Sequence, residues 1–164
     1  MKKVEKRDHE LMGKTLAEGR RAMEEGKVGV AALLLWHDEV MALNHNLYQE
    51  TGDVTAHAEM TVLRQSARRL NALDREEKGY LTLYSTLQPC LMCFSAISFA
   101  GIKRVVYSAL NEDGQRDVCI IHGVNIDQIN ALLEHGPIEL VAGVRRDEGR
   151  ALLEQMGKLR GGSR

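Results

Sequence analysis

The chain has 164 residues, of which 44% are hydrophobic and 27% charged, the balance of a globular protein built on one substantial core. A formal net charge of −1 and an aromatic content of 4% do not advertise a polyanionic partner or a broad base-stacking surface, although a local basic face remains compatible with them. No apolar run approaches the ~20 residues of a membrane span, so no membrane partner is expected. The charged start Met1–Asp8 has no apolar segment behind it to act as a secretory signal.

Three cysteines, two of them in a C-x-x-C, suit metal-bound thiolates in a reducing cytoplasm better than a disulfide scaffold. There is no internal repeat or low-complexity block. One domain over residues 1–159 is expected, with 160–164 a polar tail that buries nothing and stays disordered.

In chain order, Asp8 to Glu25 carries Leu11, Leu16, Ala22 and Met23 on one face and ends at Gly26, which predicts a helix. Val28 to Trp36 is a continuous apolar run and reads as a buried strand, with Glu39 to Leu43 returning beside it as a hairpin partner. A polar loop follows from Asn44 to Val54. Thr55 then caps a helix reaching Leu70, whose apolar face is Met60, Leu63, Ala67 and Leu70. Leu81 to Ser85 alternates as a strand. Pro89 suits the first turn of a helix that runs to Ala100 and stops at Gly101. Arg104 to Ser108 is a β-branched strand, and a weaker helix spans Ile126 to Glu134 before Gly136-Pro137. Ile138 to Ala142 forms a fifth strand and Arg145 to Leu159 a terminal helix. The alternation predicts an α/β fold, a mixed sheet with helices on both faces.

Two short motifs carry the chemistry: His57-Ala58-Glu59 and Pro89-Cys90-Leu91-Met92-Cys93. Cys90 and Cys93, three apart at a helix start, can turn both sulfurs toward one ion, and the positive end of the helix dipole favours thiolate. His57 adds an imidazole nitrogen. Three protein ligands are the set of a catalytic zinc, whose fourth position is kept for water. Zinc lowers the pKa of that water from ~15.7 to ~7, roughly 12 kcal/mol at about 1.36 kcal/mol per unit. Glu59, close to the metal without ligating it, is then the group to move protons from water to ring nitrogen and to the departing amine. Two plainer readings stand beside this one. The cysteines could be small core residues, or the zinc could be structural, with a fourth ligand from His45, Cys119, His122 or His135; none of these stands at a persuasive spacing. Cys119 otherwise reads as a buried free thiol.

In this order the motifs match the H-x-E…P-C-x-x-C signature of zinc nucleobase deaminases. From about Glu10 to Met156 the chain resembles the cytidine-deaminase-like superfamily, in the branch that holds tRNA adenosine, guanine and fungal cytosine deaminases. The resemblance rests on Thr55-Ala56-His57-Ala58-Glu59-Met60, on Leu83-Tyr84-Ser85-Thr86-Leu87-Gln88-Pro89-Cys90-Leu91-Met92-Cys93, and on Ile102-Lys103-Arg104-Val105-Val106-Tyr107. It implies a three-layer sandwich around a five-stranded mixed sheet, zinc on His57, Cys90 and Cys93, and proton transfer by Glu59. It further implies base or ribose contact by Asn46, ring contacts from the backbone of Ala58 and Gln88, and a homodimer. The plainer alternative for Asn46 is a loop asparagine that favours a turn. Asn111 stands where the tRNA branch usually has Asp, Gln88 where it commonly has Glu, and Lys27 where it has Pro. Asp113 lies in a loop whose family counterpart approaches substrate.

These departures, with the low aromatic content, favour a free cytosine- or guanine-type base, whose amine is displaced as ammonia by hydroxide on zinc. The alternatives are adenosine-to-inosine deamination in tRNA, and a silent module that binds nucleic acid or protein. Trp36, Met92 and Phe94 read as core or interface residues. Arg68-Arg69 and Arg145-Arg146 read as solvated helix charges.

Overall fold

The computed structural model describes residues 3–114 and 123–161. Five strands form one sheet in the order β2-β1-β3-β4-β5. They are β1 (Ala31–Trp36), β2 (Glu39–His45), β3 (Leu81–Leu87), β4 (Arg104–Ala109) and β5 (Glu139–Ala142). β1 is antiparallel to both β2 and β3, whereas β3, β4 and β5 run parallel, so the sheet is mixed as expected. The β1–β2 hairpin turns on His37-Asp38, with His37 in the left-handed region at φ 51°. The parallel pairs need crossovers, and helices provide them.

Side-chain alternation along each strand feeds two apolar layers. On one face Leu33 and Leu35 of β1, Tyr84 of β3 and Val106 of β4 pack against α1 (Lys6–Glu24) and α8 (Arg146–Gly161), through Leu11, Met12, Leu16, Leu152 and Met156. On the other, Ala32, Leu34, Leu81, Leu83, Val105 and Tyr107 meet Ala58, Val62 and Leu63 of α3 (Ala58–Gln65) and Phe94 and Ile97 of α6 (Leu91–Phe99). The three-layer α/β sandwich follows from these two interfaces.

Several boundaries differ from the sequence reading, each for a local reason. Thr55 does not cap a helix: its backbone N–H and hydroxyl donate to Asp53 Oδ1, at 2.8 and 2.7 Å, and its oxygen accepts from the Arg64 guanidinium at 2.9 Å. The helix begins three residues later, with His57 as its N-cap. It also breaks at Ser66, whose ψ of 2° lies far from the helical value of about −42°. A separate α4 (Ala67–Ala72) follows, and the expected face is redistributed: Leu63 and Leu70 are buried, Met60 only partly so, and Ala67 is exposed. A one-turn α2 (Tyr48–Thr51) lies in the expected polar loop, and α5 (Arg75–Lys78) precedes β3. α7 (Ile126–Asn130) ends early because Asn130 exchanges two hydrogen bonds with the backbone of Ile138, turning the chain into β5. β2 runs on to His45. α8 continues to Gly161, two residues into the expected tail, and 162–164 lie outside the described residues.

Candidate metal centre

The carboxyl-terminal ends of β2 and β3 lead to the starts of α3 and α6, so both motifs emerge at one edge of the sheet. Cys90 is the N-cap of α6, in extended conformation, with Pro89 just before it rather than inside the first turn. Cys93 is the third helical residue and is fully buried. His57 caps α3 from the neighbouring loop.

His57 Nδ1 lies 3.6 Å from Cys90 Sγ and 3.5 Å from Cys93 Sγ. Tetrahedral zinc with Zn–N of about 2.0–2.1 Å and Zn–S of about 2.3 Å requires an N···S edge of about 3.6 Å. The three ligand atoms all lie within 4.8 Å of one another, and they are the one such group among the described residues. The donor set, its spacing and its partial burial all fit zinc, with Nδ1 as the ligating nitrogen. His45 is not a fourth ligand, because its Nδ1 is 2.9 Å from Glu18 Oε1 and its Nε2 is 3.1 Å from Glu50 Oε1. His135 sits at the surface beyond α7, where its carbonyl accepts from Lys103. Cys119 and His122 lie outside the described residues.

The charges of the centre agree with a cation site. A hydrogen bond from Cys93, followed by His57, outweighs burial and pushes the Cys90 thiol down to about 4. The same bond to Cys90, with burial, pushes Cys93 up. The Cys90 thiolate raises the His57 pKa against burial. Sulfur and imidazole ligate a divalent ion in their deprotonated forms, so binding at this cluster would release protons.

Glu59, the second residue of α3, is 3% exposed. Burial, reinforced by the Cys90 charge, pushes its carboxyl above the usual range, while its own backbone N–H and Ser85 work the other way. Ser85 Oγ donates to Glu59 Oε1 at 2.9 Å. The sequence reading passed over Ser85; the available signal was a hydroxyl where Leu81 and Leu83 set an apolar face.

The flanking residues divide. Ala58 is buried at the start of α3. Gln88 is buried, donates its N–H to Ala109 O at 2.8 Å and accepts the N–H of Asn111 on Oε1 at 3.0 Å, so these two expected contacts are tied to each other. Asn46 forms a turn in which Oδ1 accepts from the Tyr48 N–H at 3.0 Å. Asp113 is turned to structural work: it accepts from the Leu110 N–H at 2.9 Å and is clamped by Arg146 at 2.9 and 2.8 Å. Arg69 grips Glu39 with two bonds of 2.8 and 2.9 Å and lies over the Trp36 ring, and Arg145 binds Glu148. Three of the four paired arginines are thus engaged within the fold.

The family model of the cytidine and deoxycytidylate deaminase zinc-binding region matches residues 5–109, well over half the chain. The protein belongs to this deaminase family. Within it, the chain is 40% identical over 97 residues to a tRNA-specific adenosine deaminase of Aquifex aeolicus, spanning 59% of this chain and 62% of that relative, less than two thirds of its length. A solved tRNA:A34 deaminase, studied for A-to-I editing at the wobble position, superposes with a TM-score of 0.70 and 34% identity over 87% of this chain and 97% of that one. A guanine deaminase from Nitrosomonas europaea shares the fold at a TM-score of 0.75 and 24% identity, covering 90% of this chain and 82% of that one. No described helix of this deaminase-family chain is long and apolar enough to cross a membrane.

Proposed function

We propose that this chain is a hydrolytic deaminase converting adenosine to inosine in tRNA, with residues 1–159 acting as one cytoplasmic catalytic domain. What supports the substrate class is the 34% identity to a tRNA:A34 deaminase over 97% of that chain, joined to a metal centre of the right shape. The reading departs from the free-base expectation. That expectation leaned on net charge and single substitutions beside the motifs, which weigh less than likeness along the whole fold.

His57 Nδ1 and the sulfurs of Cys90 and Cys93 would hold the metal. Zinc there supplies a Lewis acid that makes a water molecule acidic enough to attack near neutral pH. Glu59, beside that water, would accept its proton as the oxygen adds to the ring carbon bearing the amine and pass it to the adjacent ring nitrogen. The same carboxyl would deliver the second proton to the amine, which leaves as ammonia as the carbonyl forms. The Ala58 N–H and the Gln88 carbonyl would meet the ring edge, and the Asn46 amide nitrogen the base or ribose, since the Gln88 N–H and Asn46 Oδ1 are already engaged; Asn111, bonded to Gln88, would stand beside them. Burial of Glu59 suits a group that must both take and give a proton.

The reading includes a homodimer. α6 is apolar apart from Ser95 and Ser98, and Phe99 is 83% exposed at its end, with Leu91, Met92 and Ala96 only partly covered. An apolar helix in this state calls for a partner surface.

The test is a substrate panel on zinc-loaded protein: a tRNA with adenosine in the anticodon loop, against free adenine, guanine and cytosine. Inosine in the tRNA, with a rate that falls steeply as salt rises, is the expected result. Ammonia from guanine or cytosine with none from tRNA would overturn it in favour of the free-base reading.

A further inference from the structure

β3 presents Leu81, Leu83 and Ser85 in succession toward the layer that contains α3 and α6. Two of the three are leucines, and Ser85 is 0% exposed. A buried hydroxyl is costly unless both its donor and acceptor capacities are used. Ser85 uses both. Its Oγ donates to Glu59 Oε1 at 2.9 Å, and it accepts from the Leu87 N–H at 3.4 Å. A backbone N–H can only donate, so the Leu87 contact leaves the hydroxyl proton to point at the carboxylate. With Glu59 ionised, that is the direction of the bond, because a carboxylate can only accept.

The register holds Ser85 in place as firmly as any point in the sheet. It lies in the central strand, opposite Ala32 of β1 and Tyr107 of β4. Glu59, by contrast, reaches the site on a carboxyl whose terminal torsion is broad. Its other contacts are its own backbone N–H and Cys93, so Ser85 is the partner that ties it to the sheet.

We propose that Ser85 is a positioning residue that locks the plane of the Glu59 carboxylate through Oε1, so that Oε2 is the oxygen presented to the reacting atoms. This rests on the deaminase reading above for its catalytic meaning, though the lock itself is a property of the fold. The two oxygens of Glu59 are then not interchangeable. One is an anchor held by the sheet, and the other handles protons.

The test compares Ser85→Thr, which keeps the hydroxyl, with the near-isosteric Ser85→Val, which removes it, and with Ser85→Ala, which adds no bulk. Crystals of the zinc-loaded Ser85→Ala and Ser85→Val proteins are expected to show the Glu59 carboxylate rotated or in two orientations, with equimolar zinc retained. On whichever substrate the wild type deaminates, kcat should fall about 10–100-fold in both while KM stays within about twofold, the loss typical of removing a group that orients a site residue. Ser85→Thr should restore most of kcat. An unchanged Glu59 orientation in Ser85→Ala, or equal activity of Ser85→Thr and Ser85→Val, overturns the proposal. The orientation is read without substrate, so a tRNA panel that fails leaves this result to stand or fall by itself.

Discussion

Arg104 on β4 reaches Asp8 at the start of α1 with two parallel hydrogen bonds of 2.8 Å each, across 96 residues of sequence. Asp8 is 1% exposed, and its remaining capacity is used by Tyr84 Oη at 2.9 Å and the Glu5 N–H at 2.8 Å. A planar guanidinium and a saturated carboxylate make the pair specific as well as strong. It fastens α1 to the middle of the sheet from the face opposite the metal centre.

Replacing Asp8 with Asn should therefore cost about 3–5 kcal/mol, the usual penalty for leaving one member of a buried pair alone. Burial works against ionisation of Asp8, but hydrogen bonds from Arg104, Glu5 and Tyr84 outweigh it and hold its pKa below the ordinary value. A depressed carboxyl contributes stability that is complete above the unfolded pKa of about 3.9 and is lost as pH falls through the folded value. Urea unfolding of wild type and Asp8→Asn should differ most near pH 7, and the gap should close on acidification below about pH 4. A gap that widens in acid would contradict this account.

Glu59→Gln should keep its zinc and lose its chemistry. The substitution preserves shape and a hydrogen bond to Ser85 while removing proton transfer, a contribution of about 10²–10⁴-fold. Equimolar zinc by elemental analysis, with turnover reduced by at least the lower figure, is the expected pairing. Loss of the metal in this variant would mean that Glu59 acts as a ligand.

Much of this was legible in the sequence, because the signals are local. Gly26 and Gly101 mark helix ends, the alternation at Leu81–Ser85 marks β3, and the spacing within each motif puts Cys90 beside Cys93 and Glu59 beside His57. What was not legible depends on distant partners or on competition between local options. The pairing of Asp113 with Arg146, 33 residues on, is one that no local pattern announces. Thr55 has the chemistry of a helix cap, but its hydroxyl donates to Asp53 and its oxygen accepts from Arg64. The choice of Nδ1 over Nε2 in His57 follows from how α3 and α6 lie together, which no spacing within one motif encodes.

Removal of zinc by a strong chelator should abolish turnover and be reversed by zinc. His57→Ala and Cys90→Ala should each prevent stoichiometric loading, since two remaining ligands do not make the three-ligand set of a catalytic site. Retention should weaken as pH falls, because protons compete with the metal for the sulfurs and the imidazole. Metal content measured after dialysis across a pH series checks this, and retention that improves in acid would count against thiolate ligation.

Gly19 tests how closely α1 approaches the chain entering β1. A Cβ built there would stand 2.3 Å from the carbonyl oxygen of Gly29 and 2.9 Å from Leu152 Cδ2. The first neighbour is backbone and cannot swing aside. In an open helix interior, Gly→Ala stabilises by roughly 0.5–1 kcal/mol. Here the overlap should reverse the sign and cost about 1–3 kcal/mol, the range for overpacking a filled core. At this chain length that lowers the melting temperature by about 2–4 °C per kcal/mol. Calorimetry of Gly19→Ala beside Gly13→Ala separates the two cases: at Gly13 the obstructing atoms belong to the flexible end of Arg145, so the smaller loss is expected there. If both substitutions proved equally mild, the contact between α1 and the Gly29 backbone would have to be looser than 2.3 Å implies.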